Sequence, residues 1–376
     1  QVTLNAPMAD FLAVCCHPGL SPVPQAALDD PATFLEQPIG NGAFKMDEPW
    51  QHNQYITCSR FEDYYGDAPA LDGIYYAIHN SPDTAFNEFE AGNLDFAQIP
   101  SGRIQQTIDE YGESDDGYTV TPGKQVLTGS QVSTYFIVLN TQDELLSNVD
   151  IRHAISLAIN RQNIVDSLFE GTREVADTIF PRAIDDDEED LWEYSTYDPE
   201  RAGQILDEAG YPLGDDGTRG LSVTLSYDTG RGHEDIMSSI QADLQEIGIE
   251  VAQDTAEWAV HLTKMREGSF QMGRSGWTAD YPTMDNFLYP NFYSTASDNY
   301  SHYANAEVDA AIDAARQIAD DTERRAAYRT ICHTIGEDLP VIPIMYYAHN
   351  YVGSDRVQQF YYDAQQHPDF ITAELA

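Results

Sequence analysis

Residues 132–171 combine the two hydrophobic patterns from which the fold is first predicted. Residues 135–139 are an unbroken run of aromatic, β-branched and aliphatic side chains, which predicts a buried strand. After a polar turn, apolar residues recur at helical spacing over 151–168, which predicts one continuous helix with one apolar face. The segment is therefore predicted to be a strand, a turn and a helix.

Residues at the two ends of this helical pattern favour a start and a stop. Asn148 or Asp150 is expected to cap the start, because a short side-chain oxygen accepts hydrogen bonds from the free amide groups of the first turn. Gly171 is expected to end the helix, since glycine enters the left-handed conformation without a steric penalty.

A second pattern, between residues 221 and 251, first alternates and then becomes helical. Apolar and polar residues alternate over 221–227, which predicts a strand with one apolar face. Helical spacing over 236–247 and a β-rich segment from residue 249 complete a strand–helix–strand unit. Such a unit implies parallel strands joined by a right-handed crossover, so the chain is predicted to be an α/β protein.

Shorter patterns predict further elements of both kinds. Two helices are predicted, from a cap at Ser81 to near Gly92 and from a cap at Asp198 to Gly210. The acidic run 185–190 predicts a solvated loop. Further strands are predicted at 2–7, 56–60, 71–78, 270–274 and 338–344, the last with prolines that suit an edge or crossing position.

Composition limits the classes of partner. The 376 residues include 63 acidic and 19 basic side chains, which give a net charge of −44. Nucleic-acid binding is excluded, because phosphate needs basic partners and the sequence has no basic stripe. The charge also argues against binding to an anionic membrane surface. No stretch reaches about 18 consecutive apolar residues, so no transmembrane segment is predicted, and the length predicts two or three domains.

The basic residues are nearly all arginine. Lys45, Lys124 and Lys264 are the only lysines of the sequence. An acidic surface that is poor in lysine is typical of a protein from a saline habitat, where salt screens the repulsion among carboxylates. An ordinary acidic secreted protein explains the composition equally well.

The sequence offers no motif for catalysis or for a metal. It has neither GxSxG nor HExxH, its ten histidines lack ligand spacing, and it has no phosphate-binding loop. Cys15, Cys16, Cys58 and Cys332 are expected to be isolated thiols, although a disulfide from either of the first two to either of the others stays open. No enzyme, metal site or cofactor is predicted. A secreted hydrolase with an unrecognised pair of carboxylates is the alternative from another class.

Several segments, in this order along the chain, resemble one family, the large extracytoplasmic solute-binding proteins of the peptide and nickel type (family 5), which serve ABC importers. The most specific resemblance is YDPERAGQILDEAGY at 197–211. In the central segment, His153 replaces a usual Arg and Asn160 stands where Asp is common. The other similar segments are QPIGNGAFK at 37–45, DIRHAI at 150–155, AINR at 158–161 and GWTADYP at 276–282.

The resemblance implies a two-lobed α/β fold of the periplasmic-binding-protein type (type II, large peptide-binding subclass). Central mixed sheets flanked by helices and a ligand cleft between the lobes are expected. Residues 1–36 would be a remnant of the N-terminal or inserted region, residues 37–130 with 346–376 the first lobe, and residues 131–345 the second lobe. Family members run further at the front, so we expect an N-terminally truncated chain. We expect an extracytoplasmic protein, at the cell surface or in the periplasm, lipid-anchored through the missing part.

The predicted binding site lies at 276–282, directly after the predicted strand 270–274. In open α/β lobes the loop after the carboxyl end of a strand faces the crevice where ligands bind. Trp277 offers a flat face to a peptide, and Asp280 offers a carboxylate to an ammonium group. In peptide-binding members the matching Asp holds the N-terminal ammonium of the ligand, so the resemblance implies this role for Asp280. Tyr135 is also expected in the cleft. The alternatives are that Asp280 caps a turn and that Trp277 and Tyr135 are core residues.

The resemblance implies a receptor that binds a di- or oligopeptide and delivers it to a membrane permease. A monomer without a cofactor is expected. A receptor for a metal chelate, haem or another solute is the alternative within the same family. No motif identifies an arginine for the ligand's carboxylate, so the length of the peptide stays open.

Overall fold

The computed structural model describes residues 2–185, 192–230 and 232–376, and it confirms an α/β protein. The solvated loop predicted for the acidic run lies outside these residues over 186–190. Asp185, the first residue of that run, is buried and accepts a hydrogen bond from Arg329 Nε at 2.8 Å, so this one residue is not solvated. The strands are β1 (Phe44–Met46), β2 (Tyr55–Arg60), β3 (Gly73–Ala77), β4 (Phe96–Gln98), β5 (Thr119–Val120), β6 (Val126–Leu127), β7 (Ser130–Leu139), β8 (Glu174–Val175), β9 (Leu221–Asp228), β10 (Ile249–Ala256), β11 (Met272–Thr278), β12 (Val341–Ala348), β13 (Tyr351–Gly353), β14 (Val357–Tyr362) and β15 (Pro368–Leu375).

Helices connect about half of the consecutive strands, and two short 3-10 helices lie at Pro18–Leu20 and Glu193–Ser195. The α-helices are α1 (Phe11–Val14), α2 (Gln25–Asp29), α3 (Pro31–Glu36), α4 (Pro82–Glu90), α5 (Ile104–Tyr111), α6 (Val149–Ala158), α7 (Arg161–Phe169), α8 (Pro199–Glu208), α9 (Glu234–Glu246), α10 (Trp258–Glu267), α11 (Met284–Phe292), α12 (Ala306–Ala315) and α13 (Asp321–Asp338).

The chain forms two compact units. One contains Gln1–His17 and Gln131–Tyr347, and the other contains Pro18–Ser130 and Ala348–Ala376. The first unit has a six-stranded sheet with the order β10-β9-β11-β7-β12-β8. The second has three three-stranded sheets with the orders β1-β2-β3, β4-β13-β6 and β15-β14-β5. Residues 1–17 thus group with the six-stranded sheet. The lobe boundaries and the cleft expected from the sequence stay predictions.

The central segment folds as a strand and two helices, so the prediction of one continuous helix was wrong. Helix α6 ends at Ala158, and Ile159 adopts an extended backbone with φ −83° and ψ 117°. Asn160 then caps α7, because its side chain accepts a hydrogen bond from the Asn163 amide at 3.0 Å. The predicted start is confirmed, since Asn148 caps α6. Helix α7 ends at Phe169 with Glu170 as its left-handed C-cap, and the predicted stop, Gly171, follows with a φ of +73°.

The break between α6 and α7 coincides with a buried arginine. Arg161 is 2% exposed, and its Nε donates to the carbonyl oxygen of Pro343 in β12 at 2.6 Å. Its Nη1 donates to the Ser156 carbonyl oxygen at 3.0 Å and its Nη2 to the Ser156 hydroxyl at 2.7 Å. Burial lowers the pKa of Arg161 to about 9, so the group is still a cation at neutral pH. The guanidinium therefore ties α6 and the start of α7 to the sheet.

A second buried arginine acts in the same way one helix earlier. Arg152 of α6 donates through Nη1 to the Leu146 carbonyl oxygen at 2.8 Å. Its Nε donates to the Leu339 carbonyl oxygen at 3.2 Å, and its Nη2 to that of Asp338. Asp338 and Leu339 lie at the end of α13, so Arg152 joins α6 to the entry of β12. Burial lowers the pKa of Arg152 as well.

The strand–helix–strand prediction in this unit is confirmed. Strands β9 and β10 are parallel, with Leu221 opposite Ile249, and α9 lies between them in the chain. Helices α4 and α8 also begin as predicted, with Ser81 and Asp198 as caps. The strand predicted over 2–7 was wrong, since these residues pair with no strand among the described residues.

Replacing Arg161 with Met is expected to lower the free energy of unfolding by about 3 kcal/mol, because buried carbonyl groups in α6 and β12 lose their donor. Urea unfolding followed by circular dichroism measures this change. Arg201→Met is the control, because Arg201 is 38% exposed and pairs with Glu193 on the surface. Its cost should stay below about 1 kcal/mol. Equal losses in the two variants would contradict the role given to Arg161.

Candidate functional site

The predicted site is built on β11, which is longer than expected. Gly276 and Trp277 were predicted to lie in a loop, but they belong to the strand. The reason is that β11 pairs with β7 along its whole length, with Thr278 opposite Ser133 and Gly276 opposite Tyr135. The Ala279 amide extends this pairing by donating to the Val132 carbonyl oxygen at 2.9 Å. The loop therefore begins only at Ala279.

A buried amide side chain links the first residues of this loop to the strand. Asn286 of α11 is 1% exposed. Its Oδ1 accepts from the Asp280 amide at 2.8 Å and from the indole Nε1 of Trp277 at 3.0 Å. Its Nδ2 lies 3.4 Å from Asp280 Oδ2 and donates toward it. Asn286 thus sets the position of both predicted site residues, which the structure brings together.

The Asp280 carboxylate stands at the surface of this arrangement. Its side chain is 45% exposed, whereas the residue before it, Ala279, is buried. The imidazole Nε2 of His17 lies 3.6 Å from Asp280 Oδ1. A carboxylate held from one side by an amide and open to water on the other can accept hydrogen bonds from a cation.

Tyr135 is not brought together with Trp277. Because side chains alternate along paired strands, Tyr135 opposite Gly276 faces away from Trp277. It is 1% exposed, and its hydroxyl lies 3.5 Å from His233 Nδ1. Burial raises the pKa of Tyr135 well above its usual value. Its place in a ligand site stays a prediction, and in this structure it is a buried residue of the sheet.

An arginine that the sequence did not single out lies on the same face as Tyr135. Arg274 of β11 directs Nη1 to Asp228 Oδ1 at 3.3 Å and donates through Nη2 to the Tyr347 hydroxyl at 3.0 Å. Its guanidinium lies 5.1 Å from the centre of the Tyr135 ring. Burial lowers the pKa of Arg274, but the neighbouring tyrosines and Asp228 outweigh this effect and raise it. A buried, charged network therefore contacts β11 on the face opposite to Trp277.

The first turn of α11, the helix that carries Asn286, contains the buried carboxylate of Asp285. Asp285 is 1% exposed, and its Oδ1 lies 3.2 Å from Arg316 Nε. The same oxygen accepts a hydrogen bond from the Tyr328 hydroxyl at 3.3 Å. Burial raises the pKa of Asp285 to about 6, although Arg316 opposes the shift. Asp285 and its partners hold the start of α11 against α13.

Within residues 2–185, 192–230 and 232–376, no group of three or more His, Cys, Asp and Glu side chains is placed to coordinate an ion. None of the helices that the structure describes combines the length and the apolar character needed to cross a bilayer.

Comparison with known proteins identifies the family. The model of the bacterial extracellular solute-binding proteins, family 5 (middle region), matches residues 1–299. The match covers well over half of the chain, so the protein belongs to this family of solute-binding proteins.

Similar proteins agree with this assignment. The dipeptide-binding protein DppE of Bacillus subtilis is 27% identical over 369 residues, which are 95% of this chain and 65% of that protein. The periplasmic oligopeptide-binding protein OppA of Salmonella typhimurium is 26% identical, over 96% of this chain and 67% of that protein. The periplasmic binding protein DppA of Helicobacter pylori, solved with the peptide STSA, has a TM-score of 0.82 at 25% identity over 99% of this chain and 71% of that chain. The chain thus spans about two thirds of the length of these curated relatives.

The buried Asp285 predicts a pH dependence of stability. Its pKa is raised from 3.8 to about 6 in the folded protein, so the folded state holds more protons than the unfolded state between these values. Relative to Asp285→Asn, the wild-type protein should therefore lose stability as the pH rises from about 4 to about 6. The total loss over this range is on the order of 3 kcal/mol. Above about pH 6 the stability of the wild type relative to the variant should be constant. Urea unfolding at each pH measures it. A difference that does not change with pH would contradict the raised pKa.

Proposed function

We propose that this protein is the peptide-binding receptor of an ABC importer, with Asp280 as the partner of the ligand's N-terminal ammonium group. The observation that carries the proposal is the placement of Asp280. It is an exposed carboxylate fixed by the buried Asn286 at the end of β11, beside the half-buried Trp277. Membership in the family of solute-binding proteins supports it, as do relatives named for dipeptide and oligopeptide binding.

The chemistry of Asp280 suits an ammonium group. An ammonium has three donors and a carboxylate only acceptors, so the two form short, charge-assisted hydrogen bonds. Such bonds contribute about 1.5–3 kcal/mol each. Because the Asp280 amide and one carboxylate oxygen are already engaged by Asn286, the side chain loses little further freedom when a ligand binds.

Trp277 is the proposed apolar surface for the ligand. Its indole Nε1 donates to Asn286 Oδ1 at 3.0 Å, which fixes the orientation of the ring. The side chain is only half-buried, so part of its face is open to a neighbouring peptide. Tyr135 is the third residue predicted to contact the ligand, but its burial makes it the weakest of the three.

The remaining parts of the proposal follow from the family. The receptor would act outside the cytoplasm as a lipid-anchored monomer and would deliver its ligand to a membrane permease. It would catalyse no reaction. Closure of two lobes over the ligand belongs to the same expectation.

Two alternatives lead to different observations. A receptor for a metal chelate or haem would change the absorbance of nickel complexes or haem on mixing. A secreted hydrolase would release products from peptides or glycans, whereas a receptor leaves its ligand intact.

Replacing Asp280 with Asn should weaken binding of peptides that carry a free ammonium group. We take a pool of casein-derived peptides as the ligand and measure the concentration that gives half of the maximal shift in melting temperature. Loss of one charged hydrogen bond predicts an increase of roughly ten- to a hundred-fold in this concentration. The melting temperature without peptide should hardly change, because Asp280 is exposed.

Asp166→Asn is the matched control, since Asp166 is exposed on α7 and accepts a hydrogen bond from Gln162 at 2.8 Å. It should bind the pool as the wild type does. The same pool acetylated at its amines should bind wild type and Asp280→Asn equally weakly. Equal affinity of wild type and Asp280→Asn for the free pool would refute the role of Asp280, and the absence of any shift with the wild type would refute the peptide receptor.

A further inference from the structure

A histidine from the start of the chain lies beside the proposed ammonium site. His17 Nε2 is 3.6 Å from Asp280 Oδ1, and the two side chains are 39% and 45% exposed. Both therefore remain in contact with water, and both belong to the unit that contains Gln1–His17 and Gln131–Tyr347. Histidine is the side chain whose charge ordinarily changes near neutral pH, and this contact is an ion pair only when the imidazole is charged.

The position of His17 is set by the segment that precedes it. The His17 amide donates to the Val14 carbonyl oxygen at 3.0 Å at the end of α1. The Ala9 amide donates to the Arg316 carbonyl oxygen at 2.9 Å. Asp10, whose side chain is 10% exposed, pairs with Arg324 Nη2 at 3.2 Å. These contacts hold the segment on the α12–α13 region of the same unit and bring His17 to Asp280.

We propose that His17 is a positioning and specificity-determining residue that makes recognition of the ligand's ammonium group depend on pH. The proposal rests on the function proposed for Asp280. In its charged form His17 pairs with the carboxylate that the ligand needs and repels a second cation. In its neutral form it leaves the carboxylate to the ligand.

The sign of the effect follows from proton linkage. Binding of an ammonium group next to His17 disfavours the charged imidazole, so the complex holds fewer protons than the free protein. Through His17, lower pH therefore favours the free protein and weakens binding, whereas protonation of the peptide's own amine, with an ordinary pKa of about 7.7–8.0, strengthens binding as the pH falls from about 8. The contribution of His17 is a release of protons on binding, which is measured as the difference between the wild type and His17→Gln.

Other charged groups face the same region and must be separated from His17. The charges of Arg316 and Asp10 affect the pKa of Asp285. Burial raises the pKa of Tyr281, and the charges of Asp285 and Asp280 add to this increase. Burial raises the pKa of Asp285 to about 6, which is within the same pH range. Their effects are present in the wild type and in variants of His17, so only the difference between these proteins reports on His17.

The test is the half-saturating concentration of the casein peptide pool, measured by thermal shift from about pH 8 to about pH 5. In the wild type the half-saturating concentration should rise by roughly two- to five-fold more than in His17→Gln. This factor corresponds to the free energy of an exposed ion pair. His17→Arg carries a permanent charge, so it should bind weakly across the whole range and show no such rise. Calorimetry in two buffers of different ionisation enthalpy should show more proton release, or less proton uptake, in the wild type than in both variants.

His333→Gln is the matched control. His333 Nδ1 lies 3.6 Å from Glu337 Oε1 on α13, and the two side chains are 55% and 66% exposed, so the chemistry is the same away from Asp280. It should behave as the wild type. The same pH profile and the same proton release in wild type, His17→Gln and His17→Arg would overturn the proposal.

The outcomes also separate this proposal from the function on which it rests. If the wild type binds free and acetylated peptides equally at pH 8, recognition of the ammonium by Asp280 fails, and the role of His17 falls with it. If the wild type prefers free peptides at pH 8 but His17→Gln keeps the full pH dependence, the receptor stands and only the role of His17 is lost.

Discussion

Two buried guanidinium groups constrain the unit that carries the candidate site. Arg152 and Arg161 donate to backbone carbonyl groups more than 180 positions further along the chain. Burial makes each cation costly unless its donors are satisfied, so the two helices and β12 hold one relative position. Strand β7 lies between β12 and β11 in the sheet. The position of β11, and with it that of the following loop that carries Asp280, therefore depends on these arginines.

The hydrogen bonds of Asn286 are a second, more local constraint, at the end of β11. Asn286 offers one acceptor to the Asp280 amide and the Trp277 indole and one donor to the Asp280 carboxylate. It is buried, so it has little freedom to release them. Asp285 next to it is held by Arg316 and Tyr328, which fix the start of α11. A surface carboxylate is thus prepositioned by buried polar groups, as recognition of a small charged ligand requires.

The sequence predicts what depends on local pattern. Alternating apolar and polar residues predicted β9, and the caps Asn148 and Asp198 predicted the starts of α6 and α8. The break before Arg161 was missed, because it depends on a bond to Pro343 in a distant strand. Asp280 and Trp277 were proposed as site residues from the loop after β11 and from the family resemblance, and this stays a prediction. The contacts of Asn286 and His17 were not predicted, because one depends on burial and the other joins residues far apart in sequence.

A crystal structure of the chain grown with the casein peptide pool tests the central claim most directly. All free peptides share the N-terminal nitrogen, so its density remains defined even when the side chains are averaged. The account predicts this nitrogen within about 2.7–3.0 Å of an Asp280 carboxylate oxygen, the length of a charge-assisted hydrogen bond. Peptide density whose N-terminal nitrogen lies against another group, with Asp280 facing water, would contradict it.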